Sequence, residues 1–442
     1  MLTVEEMTGC FAPVMEPYRP RVGFEYEILC LDRSLRPLPY EGRGGLRQVL
    51  EKSARLVGGT LLDGRGEPPT KVSLPDDGLL SLEPGGQFEF SSAPQETFHK
   101  VLEQFERHQA LLEQLADAFG LRFFYGGVNP VHTVDQIGLV TPTHRYRIMD
   151  RYFPTVGTMG RRMMRQTCSV QVSFDFGNQT QGQALLRTAQ YVAPFAAALF
   201  ANAPYADGKR NGYRSFRGPI WANTDPARTG MLPGFTRPDF SFEDYIRHVL
   251  QAPMFFVQQG EELVPAGGIS FADFMEHGFG GREPTLVDFA LHNSTIFTDV
   301  RLKHTVEVRT VDCQDPVLLP SVLAFLSGIL FCERSRLRIR HMLDRFTEED
   351  FRDLSARLAR EGLTGRLNGQ SVQEVAMELI DVAARGLPSC FPDGTAATDH
   401  LQPLRELVEQ GKTPADIVLD RFGDDAHAWL AAGRTFQSGD GR

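Results

Sequence analysis

Glu25 and Glu27 stand two residues apart in RVGFEYEILCLD (21–32), inside a run with apolar Val22, Phe24, Tyr26 and Ile28 at every second position. Side chains alternate faces along a strand. A strand here therefore puts Gly23, Glu25, Glu27 and Leu29 on one face, opposite an apolar one. Two carboxylates about 4 Å apart repel by about 1 kcal/mol in water and by several times that where they are partly buried. Such a face must take up protons or bind cations.

Three more segments share the pattern. QFEFS (87–91) sets Gln87 and Glu89 against Phe88 and Phe90, with Glu83 just upstream across the turn-forming PGG. TCSVQVSFDF (167–176) sets Thr167, Ser169, Gln171, Ser173 and Asp175 against Cys168, Val170, Val172, Phe174 and Phe176. KHTVEVRTVD (303–312) sets Lys303, Thr305, Glu307 and Arg309 against His304, Val306 and Val308. For any one strand the plain reading is an antiparallel sheet with a wet face. If the four adjoin, Glu25, Glu27, Glu83, Glu89 and Glu307 converge. All-oxygen donors favour hard ions such as Mg²⁺ or Mn²⁺. Lys303 and Arg309 beside them would suit a phosphate held on those metals, the makeup of a phosphoryl-transfer site. The chain has no P-loop, no kinase signature set and no G-x-G-x-x-G after a strand, so a bound ATP would be held by metals and a sheet.

The elements that must position these residues are legible in outline. Apolar spacing predicts a helix over 96–119, stopped by Gly120, and a second over 182–204, bent at Pro194. VLLPSVLAFLSGILF (317–331) reads as a buried helix, too short to span a bilayer. Ser371 with Glu374 resembles a capping box. The chain looks mainly helical after Asp315 and frayed from Phe436 on. The expected architecture is α+β: one catalytic sheet domain over 1–315, with a helical portion over 316–442 packed on the same unit.

Of 442 residues, 42% are hydrophobic and 23% charged, ordinary values for a soluble globular protein. A net charge of −10 argues against a nucleic-acid binder. The six cysteines form no C-x-x-C pair and no zinc-finger spacing. They read as free thiols in a reducing compartment, with Cys168 a buried structural thiol. The first twenty residues carry Glu5, Glu6 and Glu16 and no basic-then-apolar leader pattern. A cytoplasmic protein is expected, monomer or homodimer, with no membrane span, acting on small molecules. His132, His144, His292 and His304 form no metal motif, though His292 precedes the last strand and could approach a nucleotide. Asp225 and Arg228 read as a loop-bracing ion pair or as site residues.

Five motifs in order then carry a resemblance: GFEYE, LEPGGQFEFSSAP, RYRIMDRYFPTVGTMGRRMMRQTCSVQVSFDF, FANAPYADGKRNGYRSFRGPIWANTDPARTG and TIFTDVRLKHTVEVRTVD. From about residue 21 to 329 the chain resembles the glutamate–cysteine ligase family of plants and proteobacteria, with the broader carboxylate–amine ligases beyond it. The resemblance implies a curved antiparallel sheet like that of glutamine synthetase and the guanidino kinases, with helices outside. It implies that ATP phosphorylates the γ-carboxylate of glutamate and that an amine, cysteine in the namesake reaction, attacks the acyl phosphate, opening glutathione biosynthesis. It places Glu25, Glu27, Glu83, Glu89 and Glu307 on metal, with Mg²⁺ expected and Mn²⁺ an alternative. It places Lys303, Arg309 and Gln87 on ATP, and Arg217, Trp221, Thr167, Gln171 and Met164 on substrate. Arg309, Glu307 and Arg165 would act in catalysis. Where closer relatives read G-L-D-M-M, this chain has Gly160-Arg161-Arg162-Met163-Met164. Where they read M-R-G-A-D-G, it has Val308-Arg309-Thr310-Val311-Asp312-Cys313. Arg161 and Arg162 either face solvent or favour a more anionic substrate. The alternative within the class is a carboxylate–amine ligase with a different acid or amine. A glycosidase is disfavoured by Lys303 and Arg309, and a silent homologue by retention of all five glutamates.

Overall fold

The computed structural model describes residues 2–11, 18–64, 66–367 and 369–436. Glu16 and the tail beyond Phe436 lie outside the described residues. Phe436 itself is held, its N–H donating to Asp315 Oδ2 at 3.3 Å.

The alternating segments do form strands, and they adjoin. The main sheet comprises β1 (Val22–Leu31), β2 (Thr60–Gly64), β3 (Glu67–Ser73), β4 (Leu79–Leu82), β5 (Phe88–Ser91), β6 (Arg122–Phe124), β7 (Ser169–Phe174), β8 (Val300–Leu302) and β9 (Val306–Asp312). Its order is β8-β9-β7-β1-β5-β4-β3-β2, with β6 also against β1. These neighbours pair antiparallel. The fold is thus α+β with an antiparallel sheet.

Register gathers the polar residues. Glu27 lies opposite Glu89, which lies opposite Ser81, which lies opposite Lys71. Glu25 lies opposite Gln171 on one side and Ser91 on the other. Arg301 lies opposite Glu307, and Glu307 opposite Ser173. A slip of one residue would turn each of these onto the other face.

That other face is what forbids the slip. Phe24, Tyr26, Ile28, Phe88, Phe90, Val170, Val172 and Phe174 are all buried. Burying a large apolar side chain contributes about 1.5–3 kcal/mol, so reversing the face would cost many times that. The helix Phe98–Phe119 packs beneath, with Phe105 edge-on to Tyr26 at 5.5 Å. Thr97 caps its start and Gly120, at φ +69°, ends it in the left-handed region that favours glycine. The helix Gln179–Leu199 carries Pro194 in its interior. The apolar stretch after Asp315 forms the buried helix Leu319–Leu330. No helix among the described residues is long and apolar enough to cross a membrane.

Three local expectations are corrected. Ser371 sits at the N-cap of the helix Val372–Gly386 but makes no side-chain cap bond. It pairs instead with Arg366 in a small ladder. Thr167 caps the helix Gly160–Gln166, which holds Arg165 in its last turn, so Thr167 does not lie in β7. Lys303 sits in the turn between β8 and β9, its N–H donating to Thr305 O at 2.8 Å.

Candidate active site

On the polar face lies a cleft of about 920 Å³. Its lining divides into an acidic half, from β1 and the β4–β5 hairpin, and a basic half, from β7, β8 and β9.

In the acidic half, Glu27 accepts from Ser169 Oγ at 2.9 Å and from Gln171 Nε2 at 2.9 Å. Burial, then repulsion from Glu83, still lifts its carboxyl to about 7. Glu89 accepts from Ser81 Oγ at 2.9 Å and Ser91 Oγ at 3.1 Å. It is held well above the carboxylate range by burial and then by Glu83, Glu25 and Glu27. Glu83 is raised by burial and by Glu25, with the Tyr146 hydroxyl donating to it at 3.4 Å. Hydroxyls and amides satisfy these oxygens without neutralising them.

Glu307 is fully buried and has the opposite fate. It accepts from Arg301 Nε at 2.8 Å, from Arg309 Nη1 at 2.9 Å and from Lys303 Nζ. Burial pushes its carboxyl up, but Arg301, Lys303 and Arg309 outweigh that and hold it well below the usual range. Gln171 joins the halves: its amide donates to Glu27 and its carbonyl oxygen accepts from Arg309 Nη1. Lys303 Nζ also reaches to 3.8 Å from Glu25. The Arg309 guanidinium lies 6.0 Å from the Trp221 ring and 5.9 Å from that of Phe297.

The cleft brings together Glu25, Glu27, Glu83, Glu89, Gln87, Met164, Thr167, Gln171, Trp221 and Arg309. Glu307, Lys303, Arg165 and Arg217 are not in its lining. Glu307 is instead the counter-ion behind Arg301 and Arg309. Gln87 lines the cleft with its amide engaged, donating to Met164 O at 3.2 Å and Thr167 O at 2.9 Å and accepting from Gly85 N–H. It clamps the chain there and is not free for a nucleotide. Arg165 pairs with Asp150 and donates to Val134 O at 3.3 Å, away from the expected site. Arg217 donates to the carbonyls of Arg309 and Thr310 at 3.2 Å and of Val311 at 3.3 Å. The ladder shifts register between Val308 and Val311. A bulge disrupts ladder pairing locally, and Arg217 satisfies the buried carbonyls there.

Other expectations resolve similarly. His292 is buried, its Nε2 2.9 Å from Val249 O and its ring stacked on Phe271, so it is structural. Arg228 meets Asp225 at 2.5 Å with both side chains buried, and braces the loop against Phe255. Arg162 pairs with Asp207 at 2.8 Å and Arg161 with Asp150 at 3.4 Å, outside the cleft lining. Cys168 is fully buried, and burial pushes its thiol up.

Sequence reasoning missed Arg301, Arg145 and Tyr146. Arg301 was reachable: it precedes Lys303 by two residues in the same alternation. Arg145 and Tyr146 lie on the helix His144–Tyr152, where no strand pattern marks a face.

Among the described residues, no three carboxylate, thiol or imidazole groups form a ready-made metal cage. The donor chemistry nevertheless suits hard cations. Glu25, Glu27, Glu83 and Glu89 offer oxygen ligands, and three of them are raised by burial and then by mutual repulsion that a divalent ion would relieve. Glu307 does not fit that set, since three cations already neutralise it.

The fold recurs in the solved glutamate–cysteine ligase of Francisella tularensis in complex with AMP, at TM-score 0.58 and 12% identity, covering 94% of this chain and 87% of that one. Curated relatives are nearer in sequence. The chloroplastic glutamate–cysteine ligase of Nicotiana tabacum is 34% identical over 410 residues, 91% of this chain and 76% of that protein. Glutamate–cysteine ligase B of Oryza sativa subsp. japonica, also chloroplastic, is 35% identical over 427 residues, 95% of this chain and 84% of that protein. Sheet, cleft and relatives together make the chain an enzyme of the ligase class. The model of Glutamate-cysteine ligase family 2 matches residues 21–440, and the chain belongs to that family.

These relatives overturn the expectation of a cytoplasmic protein, because they are chloroplast enzymes. That expectation rested on free thiols and on the residue pattern of the N-terminus. Unpaired thiols mark a reducing environment without saying which compartment supplies it.

Proposed function

We propose that the chain is an ATP-dependent ligase joining L-glutamate to L-cysteine through γ-glutamyl phosphate, the step that opens glutathione biosynthesis. One observation carries this reading: a single cleft joins an acidic half of crowded carboxylates to a basic half neutralised by Glu307 through Gln171. The sheet is taken to be of the curved kind found in glutamine synthetase and the guanidino kinases. Residues 1–315 act as the catalytic unit and 316–442 as its helical support.

Glu25, Glu27, Glu83 and Glu89 would hold Mg²⁺, or Mn²⁺, which neutralises triphosphate charge when bound. Arg309 and Arg301 line the cleft with their positive charge fixed in place by Glu307. Their remaining N–H groups stabilise the phosphoryl oxygens as charge develops. The glutamate γ-carboxylate attacks the terminal phosphorus, and the bond to ADP breaks. Gln171 holds Arg309 in register with Glu27, so anion and cation sites move as one. Trp221, Met164 and Thr167 line the substrate end and exclude water from the acyl phosphate.

The test is ADP release by the purified protein with Mg²⁺–ATP, glutamate and cysteine, with mass spectrometry of the product. The expected product is the γ-glutamyl dipeptide, formed only when all three substrates are present. Turnover with another acid or amine alone would replace this pair, and no ADP release with any acid would end the reading.

A further inference from the structure

A cavity of about 210 Å³ lies between the helix Phe98–Phe119, β6 and the helix Ala426–Ala432. It shares no lining residue with the cleft. Tyr125 N–H donates to Gly433 O at 3.0 Å and pins the end of the last helix beside β6. Gly433 is at φ +75°, and a Cβ there would stand 2.8 Å from Phe123 O. Glycine therefore lets the two backbones come this close. Pockets for drug-sized ligands run from about 300 Å³ upward, so this cavity suits one smaller molecule.

Three kinds of group line it. Leu112, Leu121 and Leu430 are its apolar part. Arg122 and Arg434 are exposed and make no ion pair or side-chain hydrogen bond among the described residues, and Glu113 is exposed and unpaired in the same way. Gln109 supplies the third kind. Its Oε1 accepts from the Tyr125 hydroxyl at 3.4 Å, but its Nε2 is buried and has no acceptor. Leaving a buried donor unmade costs about 1–3 kcal/mol, and an entering carboxylate oxygen would remove that cost. Guanidinium groups and an amide N–H suit a carboxylate, Glu113 suits an ammonium, and the leucines suit an aliphatic side chain.

We infer that this cavity binds a free aliphatic α-amino acid, with its carboxylate on Gln109 and the two arginines and its ammonium on Glu113. The inference goes beyond the ligase reading and does not depend on it. A simple anion would answer the arginines and leave Glu113 without a partner, whereas a zwitterion answers both signs. The site also has a route to the cleft. The Tyr125 ring stacks on Tyr26 at 6.1 Å, with 15° between the planes. Tyr26 stands between Glu25 and Glu27 on β1, its hydroxyl donating to Gln314 O at 2.6 Å. Through that one ring the cavity abuts the strand that carries two of the cleft's acids.

The experiment is equilibrium dialysis of the full chain against radiolabelled L-leucine, with Mg²⁺, glutamate and a non-hydrolysable ATP analogue present in excess to occupy the cleft. Wild type should retain one equivalent. Leucinamide, which lacks the carboxylate, and 4-methylpentanoate, which lacks the ammonium, should each compete about tenfold less well than unlabelled leucine. Arg122→Gln changes an exposed side chain and should weaken retention by about tenfold. Ala116→Phe fills the cavity without touching a charge and should abolish retention. Melting curves establish that both variants fold, and Arg122→Gln carries the test if Ala116→Phe does not. No retention by wild type at millimolar leucine would overturn the site. So would retention unchanged in the folded variants, which would put the leucine elsewhere. Competition by leucinamide or 4-methylpentanoate as strong as that of leucine would overturn the zwitterion.

Discussion

Glu89 and Glu307 are both buried glutamates on one face of one sheet, yet Glu89 is held well above the ordinary carboxylate range and Glu307 well below it. Burial pushes both the same way. Glu89 then meets Glu83, Glu25 and Glu27 with only serine hydroxyls as donors, whereas Glu307 meets Arg301, Lys303 and Arg309. Neighbours, not burial, decide the sign. The acidic half is therefore built to receive positive charge, and the basic half keeps enough cations to receive negative charge. A nucleotide with divalent ions satisfies both at once, which neither half alone would select.

The sharpest way to break this comparison is Glu27→Ala. Turnover should fall by about a thousandfold, while the metal-free protein should melt at a higher temperature because a repelling charge is gone. A turnover loss without that stabilisation would mean that the acidic half is not crowded. Next comes Glu307→Gln, which leaves buried guanidinium groups without their counter-ion. Unfolding in urea should show a loss of about 3–5 kcal/mol, the range for breaking a buried pair from one side. A neutral outcome would show that Arg301 and Arg309 do not depend on it.

The two halves should also respond oppositely to pH. The folded value for Glu27, about 7, lies above its ordinary 4.5. The stability it contributes is fully present below 4.5 and is lost as pH rises through 7. Glu307 is lowered, so its contribution is present above 4.5 and is lost as pH falls through its folded value. Metal-free protein should thus melt at progressively lower temperature from about pH 4.5 to 7, and Mg²⁺ should cancel that fall. An identical profile with and without Mg²⁺ would remove the acidic half as a cation site. The smallest effect belongs to Arg161→Ala, since Arg161 is exposed and paired outside the cleft. Stability should change by less than about 0.5 kcal/mol, with the KM for each substrate unmoved. A large shift in KM would extend the site beyond the sheet face.

Much of the sheet was legible because a half-buried strand must alternate. That period put Glu25, Glu27, Glu89, Gln171 and Arg309 each on the polar side of its own strand, and because the strands adjoin the structure brings all five into the cleft lining. Elements without the period were harder. Thr167 shares the alternation of β7, but the residues before Ser169 turn into a helix that ties Arg165 to Asp150. Gln87 faces the cleft as expected, yet its amide is consumed by two carbonyls of a segment that lies about eighty residues later in the chain. Neither tie leaves a trace in local spacing.

By itself the sequence determined which residues share a face, the family to which five ordered motifs belong, and the concentration of carboxylates on that face. These follow from the two-residue period of a strand and from residue type, which are local properties. Tertiary structure decided which glutamates stay uncompensated. Pairing β8 with β9 set Arg301 opposite Glu307, and pairing β1 with β7 let Gln171 reach across 144 residues of chain to Glu27. At the bulge in β9 Arg217 meets backbone carbonyls and stays out of the cleft lining. Alternation fixes the side of the sheet on which a charge stands. Only strand order and register fix what stands beside it, and at these distances the neighbour sets both the sign and the size of the interaction.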